Sequence, residues 1–170
     1  MANERKIQII KAAAKRFARH GLNKTTLDEI ARDIRIGKAT IYHYFNSKDD
    51  LYFASLQWEC ELFIEQVKNI FENESSTITQ KLSYYIELKD IVSESNKLIY
   101  EALIAFFNDK TLDQEKEILK QLFTRESESI KHFLTKYFSQ KIKKTSATLP
   151  YFIVANSWGM LLGNKLNSIV

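Results

Sequence analysis

Residues 25–51 read Thr25-Thr26-Leu27-Asp28-Glu29-Ile30-Ala31-Arg32-Asp33-Ile34-Arg35-Ile36-Gly37-Lys38-Ala39-Thr40-Ile41-Tyr42-His43-Tyr44-Phe45-Asn46-Ser47-Lys48-Asp49-Asp50-Leu51. Thr26 with Glu29 three residues later has the form of a capping box and predicts a short helix with Leu27, Ile30, Ala31 and Ile34 inward. A break at Ile34–Gly37 separates it from a second short helix, Lys38–Phe45. There Ile41 and Phe45, four residues apart, share one face, and Thr40, Tyr42, His43 and Tyr44 spread over the rest. Asn46 to Asp50 supplies another cap and first-turn acids that complement a helix dipole.

Upstream, Ile7, Ile10, Ala14 and Phe17 predict one apolar stripe on a first helix that His20-Gly21 ends. Downstream, Leu51, Ala54, Trp58, Leu62, Val67, Ile70 and Phe71 predict a long helix reaching Glu72. Further helical patterns follow at 78–92, 95–108, 112–143 and 149–167. The expectation is an all-α protein of eight helices, with a helix-turn-helix domain over residues 1–47 and a helical bundle over 48–170.

Composition agrees. Only 4 Gly and 1 Pro occur in 170 residues, too few turn residues for a β barrel or a Rossmann fold, while 45% hydrophobic and 27% charged residues exclude a disordered tail. Cys60 is the single cysteine and has no internal disulfide partner, and the N-terminus is polar, so a reducing cytoplasm is expected. The most apolar stretch, Leu149–Leu162, is too short to span a bilayer and is interrupted by Asn156 and Ser157, so a soluble protein off the membrane is expected.

Charge is uneven. Residues 1–48 hold 11 Lys or Arg against 4 Asp or Glu, a net +7, whereas residues 49–170 carry 14 against 17, a net −3. A basic N-terminal part on a mildly acidic remainder suits a segment that meets a polyanion. Two short helices joined by a tight turn describe a helix-turn-helix, whose second helix enters the major groove when one face is anchored and the other offers donors, acceptors and apolar edges. Ile41 and Phe45 are the anchors, and Lys38, Thr40, Tyr42 and His43 lie opposite. Thr26, Tyr44 and Lys48 stand where phosphates would be met.

The run from Thr25 to Ala31 and on through Lys38-Ala39-Thr40-Ile41-Tyr42-His43-Tyr44-Phe45-Asn46-Ser47-Lys48 to Leu51 resembles the DNA-binding domain of tetracycline-repressor (TetR) family regulators over about 45 residues. The resemblance implies an all-helical homodimer that binds a palindromic operator on double-stranded DNA. Its divergent C-terminal domain would dimerise and hold a small-molecule inducer. It also implies DNA contacts by Thr26, Lys38, Ala39, Thr40, Tyr42, His43, Tyr44 and Lys48. This chain departs from the pattern at Arg35, where a glycine is usual, and at Gly37, where a capping Ser or Thr is usual.

No nucleotide-binding glycine loop, nucleophile elbow, zinc spacing or Glu-x-x-His pair occurs, so neither an enzyme, a metal site nor a cofactor is expected. His20 and His132 read as structural or solvated. Ala155, Gly159 and Gly163 recur every four residues in the last helix, a smooth stripe that suits packing within the chain or, the favoured reading for a palindrome-binding dimer, a subunit interface shared with the helix at 112–143 and flanked by Phe152 and Trp158. Trp58, Tyr85, Tyr100, Leu103, Phe107 and Phe123 are candidates to line a pocket for a small apolar or aromatic effector. The alternative is a ligand-carrying or protein-interaction bundle with incidental DNA affinity.

Overall fold

The computed structural model describes residues 2–142 and 148–167. Among these, nine helices follow one another: α1 (Ala2–Lys24), α2 (Leu27–Asp33), α3 (Lys38–Tyr44), α4 (Lys48–Glu72), α5 (Ile78–Asp90), α6 (Val92–Ser95), α7 (Lys97–Phe107), α8 (Asp113–Ile142) and α9 (Leu149–Asn167). The described residues include no strand. The all-α class holds, with one helix more than expected. The added helix, α6, is a single turn in the gap between the segments expected at 78–92 and 95–108. There the Ser95 hydroxyl donates to the Ile91 carbonyl at 2.7 Å, so the chain makes one more turn before Asn96.

The chain forms two compact units, Met1–Cys60 with Lys97–Ile118, and Glu61–Asn96 with Leu119–Val170. The boundary expected at residues 47 and 48 falls at the start of α4.

In the first unit, α1 buries Ile9, Ala13 and Phe17 at four-residue spacing. Counting back from Phe17 in fours lands on Ile9, so Ile7, expected inward, is 37% exposed at the edge of the stripe. Gly21 leaves helical geometry with φ 75, a left-handed conformation open to glycine at little cost, and the Thr25 hydroxyl donates to the Gly21 carbonyl at 2.8 Å. Ile30, Ile41, Leu51 and Leu56 complete the core around Phe17, whose ring meets Tyr52 edge-on at 5.3 Å.

Two carboxylates stitch the rest of this unit. Buried Glu59 accepts the backbone N–H of Ile99 at 2.8 Å in the first turn of α7, satisfying a donor that a helix start leaves orphaned. Buried Glu115 accepts the Tyr52 hydroxyl on one oxygen and the Leu112 N–H, at 2.8 Å, on the other.

In the second unit, α4 buries Phe63, Ile64, Val67 and Phe71, while Leu62, expected inward, is 38% exposed. The apolar line shifts by one position, because it is read from Leu56 to Phe63, seven residues apart, and not from Trp58 to Leu62. The Phe71 ring stacks near Tyr85 of α5 at 5.4 Å and Phe133 of α8 at 4.7 Å. Lys81 is fully buried and donates from Nζ to the Phe71 carbonyl at 2.6 Å, so a lysine from α5 closes the last turn of α4.

Candidate nucleic-acid interface

The start of α2 is fixed by its own sequence. The Glu29 N–H donates to the Thr26 hydroxyl oxygen at 3.3 Å, and Glu29 Oε2 accepts both the Thr26 N–H and its hydroxyl at 2.9 Å, a complete capping box. Those bonds, the backbone one first, hold the Glu29 carboxyl below the usual carboxylate range. Arg16 of α1 grips α2 with two hydrogen bonds to Asp33, at 2.6 and 2.9 Å, and approaches Glu29 at 3.4 Å. The hydrogen bond from Arg16 likewise lowers the Asp33 carboxyl. The entry and the exit of α2 are therefore both clamped.

The turn into α3 is a Schellman motif. The Ile36 N–H donates to the Ala31 carbonyl at 3.0 Å and the Arg35 N–H to the Arg32 carbonyl at 3.2 Å, which places Arg35 in the left-handed region at φ 54. A non-glycine residue there costs on the order of 1 kcal/mol. Gly37 is the N-cap of α3, extended at φ −75 and ψ 145, and offers no side-chain cap. Both departures from the family pattern are thus accommodated without losing the turn.

Ile41 is fully buried and Phe45 is 6% exposed. They hold α3, whose seven residues make a rod about 10 Å long at 1.5 Å per residue. On its free side Lys38, Ala39, Tyr42 and His43 are exposed, Tyr42 by 51%, and Thr40 and Tyr44 are half-buried. The His43 and Tyr44 rings meet edge-on at 5.1 Å. Thr26 is exposed at the start of α2. The residues expected to meet DNA therefore gather around one short helix and the two helix starts beside it.

Two lysines of the site are engaged within the fold. Lys38 Nζ donates to Asp28 Oδ2 at 2.8 Å, which raises the lysine above its ordinary range and leaves less of its charge free. Lys48 donates to the Leu22 carbonyl at 2.8 Å, bracing the start of α4 on the segment after Gly21. The Asp28 pairing spans ten residues, and in sequence Asp28 reads only as a first-turn acid of α2.

Residues 9–54 match the family model for bacterial regulatory proteins of the tetR family. The segment that carries α2 and α3 is thus similar to the DNA-binding domain of that family. It is 35% identical over 72 residues to the HTH-type transcriptional regulator HbdR of Aromatoleum sp., covering 42% of this chain and 31% of that one. A second relative, the HTH-type transcriptional regulator SAUSA300_2515 of Staphylococcus aureus, is 26% identical over 125 residues, 64% of this chain and 68% of that one. The match thus spans about a third of HbdR and two thirds of the staphylococcal regulator.

Solved structures agree in fold. A TetR transcriptional regulator from Legionella pneumophila superposes with a TM-score of 0.69 at 23% identity, over 95% of this chain and 87% of that one. E. coli NemR in its reduced form gives a TM-score of 0.73 at 14% identity, over 96% and 86%. These likenesses speak for the architecture alone.

The other candidate residues fall in separate places. Trp58, Tyr100, Leu103 and Phe107 belong to the first unit, where Leu103 is buried and Phe107 is 57% exposed; Tyr85 and Phe123 belong to the second. Of the stripe on α9, Phe152 is 65% exposed, Ala155 is exposed, and a Cβ at Gly159 would point into open space. Trp158, at the edge of the stripe, turns inward, 3% exposed against Phe63 and Phe123. Gly163 falls in α9, but its surroundings lie outside the described residues. Among the described residues no three His, Cys, Asp or Glu gather as metal ligands, and no helix is long and apolar enough to cross a membrane.

Proposed function

We propose that this protein is a cytoplasmic transcriptional regulator of the TetR family, a repressor that binds a palindromic operator as a homodimer and is released by a small molecule. The observation that carries this reading is α3, pinned by Ile41 and Phe45 and offering Lys38, Ala39, Tyr42 and His43 to the outside. Thr40, Tyr42 and His43 suit base edges in the major groove, with Lys38 and Ala39 at the leading end. Thr26, Tyr44 and Lys48 suit the phosphates on either side. No catalytic step enters this reading.

A palindrome asks for a two-fold axis, which sets two α3 helices about 34 Å apart in successive major grooves. The exposed run of Phe152, Ala155 and Gly159 on α9 supports a subunit contact there, with Gly163 continuing it by position. Release follows if the effector binds better to a dimer whose reading heads are set apart differently, since only differential affinity moves the equilibrium.

Selection of bound sites from random duplexes tests the reading. A two-fold symmetric consensus supports both the reader and the dimer. Retention of every polyanion alike, with no enriched sequence, sinks it in favour of a helical bundle with incidental DNA affinity.

A further inference from the structure

The second unit holds a cation where a core would ordinarily be apolar. The ammonium of Lys89 on α5 lies 3.3 Å from the ring centroid of Trp158, 4.8 Å from that of Phe63 and 5.4 Å from that of Tyr85. Its nitrogen is 2.5 Å from Glu126 Oε1, and the two side chains are 3% and 0% exposed. Glu126 also accepts the Tyr85 hydroxyl and the Trp158 indole N–H, each at 2.7 Å. The Tyr85 oxygen stands 3.0 Å from that of Ser157. The polar edges of the tyrosine and the tryptophan are thus turned to the carboxylate, and the ring faces are left to the cation.

Packing alone does not ask for this arrangement. Desolvating both ions of such a pair is costly, and an apolar side chain of similar volume fills the same space without that penalty. The Lys89 ammonium has three N–H donors, and among the described residues none reaches an acceptor in hydrogen-bond geometry, so ring faces and one ion pair hold it. Burial pulls its pKa from 10.5 to about 7, against the attraction of Glu126. Ring faces around a cation, closed by a carboxylate, are the means by which proteins recognise alkylammonium groups. Here the alkylammonium is tethered to the fold itself.

We infer that Phe63, Tyr85, Trp158 and Glu126 form an organic-ammonium site whose resting occupant is the Lys89 side chain, and that the effector carries a primary or quaternary ammonium on a short apolar stem. The inference rests on the effector-released reading above. A tethered occupant competes at an effective concentration in the millimolar range or higher, so a free amine of the same chemistry binds the native chain weakly and binds well once the tether is gone.

The probe is n-butylammonium chloride, which replaces the part of the side chain that Lys89→Ala removes, with sodium chloride, 1-butanol and sodium butyrate as controls at matched concentration. In the full-length chain, n-butylammonium is expected to bind Lys89→Ala saturably in calorimetry, at least ten-fold tighter than it binds the native chain, and to raise the melting temperature of the variant. The double variant Lys89→Ala/Glu126→Gln keeps the space but removes the buried charge, and should take up butanol and butylammonium alike. The inference is overturned if Lys89→Ala neither binds nor is stabilised by n-butylammonium, including when the variant is recovered only unfolded and the amine fails to restore it. It is equally overturned if butanol serves Lys89→Ala as well. A gel shift on the native chain separates the two readings: operator retention without any ammonium binding by Lys89→Ala defeats only the ammonium site, whereas loss of sequence-selective retention defeats the regulator.

Discussion

Lys38, the first residue of α3, donates to Asp28 of α2 at 2.8 Å, so the leading charge of α3 is shared with an acid of the helix before it. Removing the acid should free the lysine for phosphate. Asp28→Asn is expected to strengthen binding to all duplexes and to steepen the salt dependence by about one unit of slope. Filter binding between 50 and 200 mM salt reads this out, and an unchanged slope would show that Lys38 points away from DNA.

Tyr42 is 51% exposed beside the buried Ile41 anchor. Tyr42→Ala should lower affinity for the selected operator by about 1 to 3 kcal/mol and leave random duplex binding nearly unchanged. Lys48→Ala should weaken both alike, as expected of a phosphate contact. Competition gel shifts with operator and random duplex distinguish the two patterns.

Arg35 occupies a left-handed position that glycine takes freely. Arg35→Gly is expected to stabilise the first unit by roughly 0.5 to 1 kcal/mol, the relieved strain exceeding the added freedom of the unfolded chain. Gly37→Ser should add a few tenths of a kcal/mol by restoring the cap of α3, since the site is open and its φ of −75 suits any residue. Urea denaturation would show both as higher midpoints with unchanged slope.

Two buried groups give the stability curve opposite tilts. Burial raises Glu59 from 4.5 to about 7, opposed in part by the N–H groups of Ile99 and Leu98. The fold therefore favours its protonated form, and that contribution is complete below pH 4.5 and lost as pH rises through 7. Lys89 is lowered from 10.5 to about 7 by burial, so its contribution is complete above pH 10.5 and lost as pH falls through 7. Glu59→Gln should flatten the difference between pH 5 and 7, and Lys89→Met that between pH 7 and 10. Denaturation midpoints at constant ionic strength measure each against the native chain, and parallel profiles would refute the assignment.

Much of the helix-turn-helix was legible because its determinants are local. The Thr26 and Glu29 cap, the four-residue spacing of Ile41 and Phe45, and the glycine at position 21 each act within one or two turns, and the structure has all three. The register of α4 was less legible, since which of Leu62 and Phe63 turns inward is settled by partners such as Trp158, 95 residues further on. Lys81, Lys89 and Glu126 escaped sequence reading for a related reason. A charged residue in an amphipathic pattern reads as surface, and only the assembled unit supplies the Phe71 carbonyl or the aromatic rings that accept it.

Glu126 answers to three partners at once, the tyrosine and tryptophan donors and the lysine ammonium paired with it. A lone replacement there strands all of them, whereas exchanging glutamate and lysine together leaves a neutral cluster that can repack. Descent through this locus should therefore run in coordinated steps, and homologues lacking an acid at position 126 should be found to have shed the amine at position 89 as well.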